Sequence, residues 1–94
     1  MGVDQLEKAF DLDPDRAMAD YGSRRLRVTG TVASVDGKHI TFRSAYLLNV
    51  QAYFTGDTVG LAEGKPATVD CDELERRDWP TGAKPVLRRC FRPG

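Results

Sequence analysis

The stretch Leu26-Arg27-Val28-Thr29-Gly30-Thr31-Val32 decides the fold of this 94-residue chain. Apolar residues alternate there with arginine and threonine, which is the period of a strand with one buried face. Gly30 stands in the middle of the strand and predicts a sharp bend or a bulge. Because small closed barrels are built from short bent strands, further short strands are expected downstream.

The rest of the chain supplies four such segments. The dipeptide Asp36-Gly37 is a hairpin signal, and the strand after it turns Ile40 and Phe42 inward. The next three strands are predicted from an inward row at Tyr46, Leu48, Val50, Ala52 and Phe54, a second at Ala67, Val69 and Cys71, and the segment 85–91. Residues 56–65 and 77–84 contain glycine and proline and are predicted to be loops.

Residues 4–21 are predicted to be helical, with one break. Asp4-Gln5-Leu6-Glu7 matches a capping box, and Asp13-Pro14 combines a good N-cap with a proline suited to the first helical position. Gly22 is expected to end the second helix as a left-handed cap. The residues predicted to pack on the barrel are Leu6, Phe10, Ala17 and Tyr21.

These elements predict a mainly β protein in which residues 24–94 form a five-stranded Greek-key barrel and residues 1–23 pack on it. Other five-stranded barrels, SH3-like ones among them, fit the same pattern. The length allows one domain. The sequence contains no apolar run of 18 residues, so no transmembrane span is predicted.

The charges balance, with 14 basic and 14 acidic residues. A protein that neutralises phosphates is normally basic, so composition argues against strong nucleic-acid binding. The charges are also segregated: residues 1–23 and 44–75 are acidic, whereas residues 24–43 and 76–94 are basic. Such a surface can pair with a complementary protein or with a second copy, or it can be ordinary solvated charge.

The two cysteines bear on the compartment. A hairpin centred near Pro80-Thr81 places Cys71 opposite Cys90, so we predict a disulfide, which requires an oxidising compartment. The alternative is a reduced buried pair in a cytoplasmic protein. The segment Met1–Asp4 lacks the basic and apolar regions of a signal peptide. We expect a periplasmic or otherwise exported protein whose signal has been removed, with a cytoplasmic protein as the alternative.

Spaced motifs run along nearly the whole chain: Leu6-x-x-Ala9, Asp13-Pro14-x-x-Ala17-x-x-x-Tyr21, Leu26-x-Val28-Thr29-Gly30-x-Val32, Leu61-x-x-Gly64-Lys65-x-Ala67-x-Val69-x-Cys71 and Leu87-x-x-Cys90. Together they resemble the tRNA-anticodon-like OB-fold family of small bacterial proteins. The resemblance implies an OB barrel preceded by a helix, in proteins that are often exported or lipoproteins and have no established catalytic site. The chain departs from the family pattern between residues 36 and 56, where it is short.

An OB barrel binds single strands on the outer face of its second and third strands, through aromatic side chains and a basic track. Alternation predicts that this outer face carries Arg25, Arg27, His39, Thr41, Arg43, Leu47, Asn49, Gln51 and Tyr53. Trp79, next to Arg76 and Arg77 in the predicted last loop, has the composition of a binding hot spot; alternatively it folds back on the barrel. The candidate binding residues are Arg25, Arg27, Arg43, Tyr53, Arg77 and Trp79.

No catalytic set is evident. The serines Ser23, Ser34 and Ser44 have only His39 as a candidate base, and none lies in a nucleophile elbow. The acidic run from Asp70 to Glu75 lacks the glycine and the spacing of a calcium loop, so a solvated strand edge is the preferred interpretation. We therefore expect no enzyme activity, no metal and no cofactor.

The sequence thus predicts a non-enzymatic OB-fold binding module of the cell envelope that recognises a protein partner or a small ligand. Self-association is a further option. A single-stranded nucleic-acid binder that uses the same face is the alternative, with weak binding expected because the net charge is zero. A structural subunit of an envelope assembly is a third possibility.

Overall fold

The computed structural model describes residues 1–43, 50–80 and 82–93. Within these ranges two helices, α1 (Val3–Leu12) and α2 (Pro14–Tyr21), precede five strands. The strands are β1 (Leu26–Asp36), β2 (His39–Phe42), β3 (Gln51–Phe54), β4 (Pro66–Trp79) and β5 (Gly82–Phe91). The predicted positions of Tyr46, Leu47, Leu48 and Asn49 lie outside the described residues.

The strands close into a barrel in the order β1-β2-β3-β5-β4. β3 and β5 pair in parallel, and the other neighbouring strands pair antiparallel. This is the arrangement of a five-stranded OB-fold barrel, so the predicted fold class is confirmed.

The break between the helices lies where the sequence predicts it. Asp13 Oδ1 accepts a hydrogen bond from the backbone N–H of Arg16 at 3.2 Å, and Pro14 is the first residue of α2. The predicted capping box is wrong, because α1 begins at Val3 with Gly2 as its N-cap residue. Glu7 consequently lies inside the helix, where it is fully buried.

Gly22 ends α2, but not in the conformation predicted. Its backbone is right-handed, with φ −71° and ψ −18°, so the expected left-handed cap is wrong. A Cβ at this position would lie 2.5 Å from the carbonyl oxygen of Met18. Close approach to the preceding turn, rather than a positive φ, therefore favours glycine here.

The helices cover the barrel with the apolar face that the sequence predicts. Leu6, Phe10 and Ala17 are buried in the same hydrophobic core as the inward residues of the strands, and Tyr21 is half-buried against it. α1 contacts β1 and β5, while α2 contacts β4. None of the helices in the described ranges is long and apolar enough to cross a membrane.

Gly30 of β1 lies against Val3, the first residue of α1. A Cβ built on it would lie 2.8 Å from Cγ1 of Val3 and 2.9 Å from Cδ1 of Phe42. The β1–β2 register shifts between Val32 and Ser34, so the expected irregularity of β1 comes after the glycine. Gly30 itself provides the space for α1 to dock.

β4 and β5 form a long hairpin that was not fully predicted. β4 continues to Trp79 and β5 begins at Gly82, so the expected loop over residues 77–84 is wrong. The predicted centre is correct, because Trp79 pairs with Gly82 and Cys71 pairs with Cys90. The structure contains the Cys71–Cys90 disulfide.

Both strands of this hairpin change face at the same place. Cys71 and Leu74 are buried in the core, although they are three residues apart and simple alternation would point them in opposite directions. Leu87 and Cys90 do the same on β5, where Arg89 has a φ of 53°. Since both strands switch together, the pairing register stays intact on either side of the switch.

We predict that Gly30→Ala lowers the free energy of unfolding by about 1–3 kcal/mol, because the added methyl group overpacks the contact with Val3 and Phe42. Gly56→Ala is the control, since its Cβ would meet no atom within 4 Å. Denaturant unfolding of both variants measures the difference. Equal unfolding midpoints would show that α1 does not pack tightly on Gly30.

We also predict that replacing both Cys71 and Cys90 by alanine destabilises the protein by roughly 3 kcal/mol, because the bridge closes a loop of about 20 residues. Denaturant unfolding should show that a reductant lowers the midpoint of the natural protein and leaves the double variant unchanged. A reductant that has no effect on the natural protein would contradict a bridge that contributes to stability.

Candidate functional site

Cross-strand ion pairs occupy the outer face where β1 meets β4. Arg27 donates two hydrogen bonds to Asp70, from Nε to Oδ1 at 2.8 Å and from Nη2 to Oδ2 at 3.1 Å. Arg25 Nε donates to Asp72 Oδ1 at 2.6 Å, and its guanidinium lies 5.1 Å from the ring centroid of Phe91. Both arginines face outward as predicted, but each already binds a carboxylate.

Asp70 is the buried member of these pairs. The hydrogen bonds from Arg27 hold the pKa of the Asp70 carboxyl below its ordinary value, although burial acts in the opposite direction. The carboxylate therefore stays charged at neutral pH. Arg27 would have to give up a bidentate pair before it could bind a phosphate in the same way.

Tyr53 lies at the centre of a second group, on the outer face of β2, β3 and β5. Its ring stacks on His39 with centroids 5.0 Å apart and an angle of 18° between the planes. The guanidinium of Arg88 lies over the same ring, 4.8 Å from its centroid. β2 and β5 flank β3 on opposite sides, so the two faces of the Tyr53 ring are both covered.

Glu75 connects the Tyr53 group to the β4–β5 hairpin. Its carboxylate accepts hydrogen bonds from Arg88 Nε and, at 3.2 Å, from Arg77 Nε. These bonds, first from Arg88 and then from Arg77, lower the pKa of Glu75. Tyr53 and Arg77, two of the predicted binding residues, therefore belong to one connected group.

Trp79 lies at the end of the hairpin. Its side chain is 51% exposed, and Nζ of Lys84 lies 5.3 Å from the ring centroid. Arg77 pairs across the hairpin with Lys84, so its side chain is on the same face as that of Trp79. We call Arg77, Trp79 and Lys84 the hairpin tip.

Arg43 is separate from these groups. It follows β2 at the end opposite His39, where its backbone N–H donates to the carbonyl of Thr31 at 2.7 Å. Its exposed side chain borders an open groove beside Val3, at the start of α1. The structure therefore does not bring Arg43 together with the other candidate residues.

Sequence reasoning missed the residues that connect the surface. Arg88, Glu75 and Lys84 all contribute to it, yet their strands change face, so simple alternation does not assign them an orientation. The pairing of Arg77 with Lys84 follows from the predicted hairpin centre, and this was the signal from which the hairpin tip could have been found.

The acidic side chains around Cys71 form ion pairs with arginines. Asp70 pairs with Arg27, Asp72 with Arg25, Glu73 with Arg89 at 3.5 Å, and Glu75 with Arg77 and Arg88. Three or more potential metal ligands do not cluster anywhere in the part of the chain that the structure describes.

Among solved structures, the chain is similar to a crystal structure of a lipoprotein from Klebsiella pneumoniae subsp. pneumoniae that is provisionally described as nucleic acid-binding. The TM-score is 0.69 at 18% sequence identity, over 100% of this chain and 92% of that one. The two proteins share a fold. No protein-family profile and no curated protein matches the sequence.

The Arg27–Asp70 pair generates a pH prediction. The pKa of Asp70 is lower in the folded protein than in the unfolded chain, so the ionised carboxylate stabilises the fold at pH values above its unfolded-state pKa. This stabilisation is lost as the pH falls through the folded-state pKa. Following the carboxyl carbon of Asp70 by NMR, we expect Arg27→Gln to raise its titration midpoint. Arg24→Gln is the control, since Arg24 lies over the Tyr21 ring. The same midpoint in Arg27→Gln and the natural protein would contradict the pairing.

Proposed function

We propose that the chain is a non-enzymatic binding module that recognises a protein partner through the hairpin tip. The observation that carries this proposal is the half-exposed indole of Trp79 between basic side chains at the end of the β4–β5 hairpin. Tryptophan and arginine are the residues most enriched in the energetic centres of protein interfaces. A protein partner is preferred to a small ligand, because the indole is half-exposed at the end of a hairpin, whereas small-molecule sites are concave and bury most of the ligand.

The pairing of the charges supports this choice. Arg25 and Arg27 are held by carboxylates on β4, and Arg77 and Arg88 share Glu75. Lys84 forms no ion pair within the described ranges. The hairpin tip is therefore where an exposed aromatic surface coincides with a cation that is free of carboxylates.

The absence of enzymatic activity is part of the proposal. The chain has one histidine, His39, and it stacks on Tyr53. No hydrogen bond among the described residues joins it to a serine or a carboxylate, as a nucleophile and its base would require.

We further propose that the protein acts in the cell envelope. The Cys71–Cys90 disulfide is compatible with an oxidising compartment. The similar protein from Klebsiella pneumoniae is a lipoprotein, and the family that the sequence resembles has many exported members. We also propose that the chain belongs to the tRNA-anticodon-like family, because its sequence resembles that family and it shares a fold with the Klebsiella protein.

A single-stranded nucleic-acid binder is the second candidate, favoured by the description of the similar Klebsiella protein. Base stacking needs a free aromatic face, and both faces of Tyr53 are covered. We predict dissociation constants no tighter than about 10⁻⁵ M for mixed-sequence oligonucleotides at physiological salt. A titration that gives nanomolar affinity, weakened by Tyr53→Ala and not by Trp79→Ala, would reverse the order of the two candidates.

The proposed protein contact is tested by a photo-reactive amino acid placed at position 79 in the natural host. We expect protein cross-links at this position, because it lies in the proposed interface. The control position is Val59, an exposed apolar residue in the β3–β4 connection. Equal labelling from both positions, or no protein product from position 79, would contradict the proposal.

A further inference from the structure

A groove lies between the two helices. Its volume is about 190 Å³. Apolar side chains line it, with carboxylates beside them: Ala9, Leu12, Ala17 and Tyr21, then Asp13 and Asp20. We call it the helix groove. Its most exposed apolar residue is Leu12, which is 73% exposed at the end of α1.

We propose that the partner of the hairpin tip is a second copy of this chain, and that Trp79 of each copy inserts into the helix groove of the other. The inference rests on the proposed function, because it uses the hairpin tip as the binding element. It assigns the groove and the hairpin tip to one interface.

Charge complementarity favours this occupant. Residues 1–23 contain six acidic and two basic side chains, but Glu7 is buried in the core. The charged residues that line the groove are Asp13, Asp20 and Arg16, and Arg16 is paired with Asp20 at 3.7 Å. Lys84 beside Trp79 would approach Asp13 on the partner, so opposite charges would meet next to the inserted indole.

The hairpin tip and the helix groove are separate surfaces of one copy. Trp79 is half-exposed and does not line the groove of its own chain. Arg76, three residues before it, donates a hydrogen bond to Asp15 at the start of α2. A twofold axis would form both contacts at once, so that each copy contributes one hairpin tip and one helix groove to the interface.

Sedimentation over a concentration series measures the association. We expect the 10.4 kDa chain to form a dimer that weakens at least about tenfold when the salt rises from roughly 0.05 to 0.5 M, because the charges around the indole are screened. Trp79→Ala and Leu12→Arg should each weaken the dimer by about tenfold or more. Val59→Ala, which removes exposed apolar surface elsewhere, should change nothing.

Mixing the two variants tests the pairing of the surfaces. The Leu12→Arg copy keeps its Trp79 and the Trp79→Ala copy keeps its groove, so one of the two contacts can form between them. We expect a mixed dimer at concentrations at which neither variant forms a dimer by itself. A natural protein that stays monomeric at about 1 mM, or variants that do not complement each other, would overturn the inference.

The self-association inference can fail while the proposed function stands, and the two experiments distinguish these cases. If the protein is monomeric but position 79 cross-links to another protein, the self-association inference fails and the proposed function stands. If position 79 yields neither a homodimer nor another protein product, both fail.

Discussion

The change of face in the β4–β5 hairpin positions Glu75 and the hairpin tip. Cys71 points into the core, so strict alternation would also bury Glu75, Arg77 and Trp79. The switch between Cys71 and Leu74 turns these three side chains outward instead. On β5 the left-handed backbone of Arg89, a conformation uncommon for a residue with a side chain, accompanies the matching switch. The disulfide joins the strands beside it and holds the register on which both changes depend.

The elements that alternate without interruption could be predicted from the sequence, and those that change face could not. β1 and the two helices have clean apolar periods, and the helix break at Asp13-Pro14 follows from local capping. In the hairpin, Pro80 and Gly82 predicted a loop over residues 77–84. The long strand continues because cross-strand pairing with β5 satisfies its backbone, and this pairing is a tertiary effect.

The candidate site illustrates the same limit. Alternation correctly turned Arg25 and Arg27 outward, but their carboxylate partners are more than forty residues away in sequence. Only the β1–β4 register brings these arginines and carboxylates together, and the alternation within either strand does not specify that register. Tyr53 was likewise placed on the correct face, while the covering of its ring by Arg88 required the parallel pairing of β3 with β5.

The distribution of ion pairs decides which part of the surface is open to a partner. A bound carboxylate must be displaced or shared before its arginine can contact a new ligand. This free-energy cost applies to the paired arginines on the strand faces of the barrel. Within the hairpin tip Lys84 avoids this cost, because it lies over Trp79 rather than beside an acid, whereas Arg77 is paired with Glu75. On the opposite face of the hairpin, Arg76 is paired with Asp15 of α2 and with Asp78. The hairpin tip therefore combines an exposed indole with a cation that has no acidic partner among the described residues, and this combination is the one that the proposed protein contact would use.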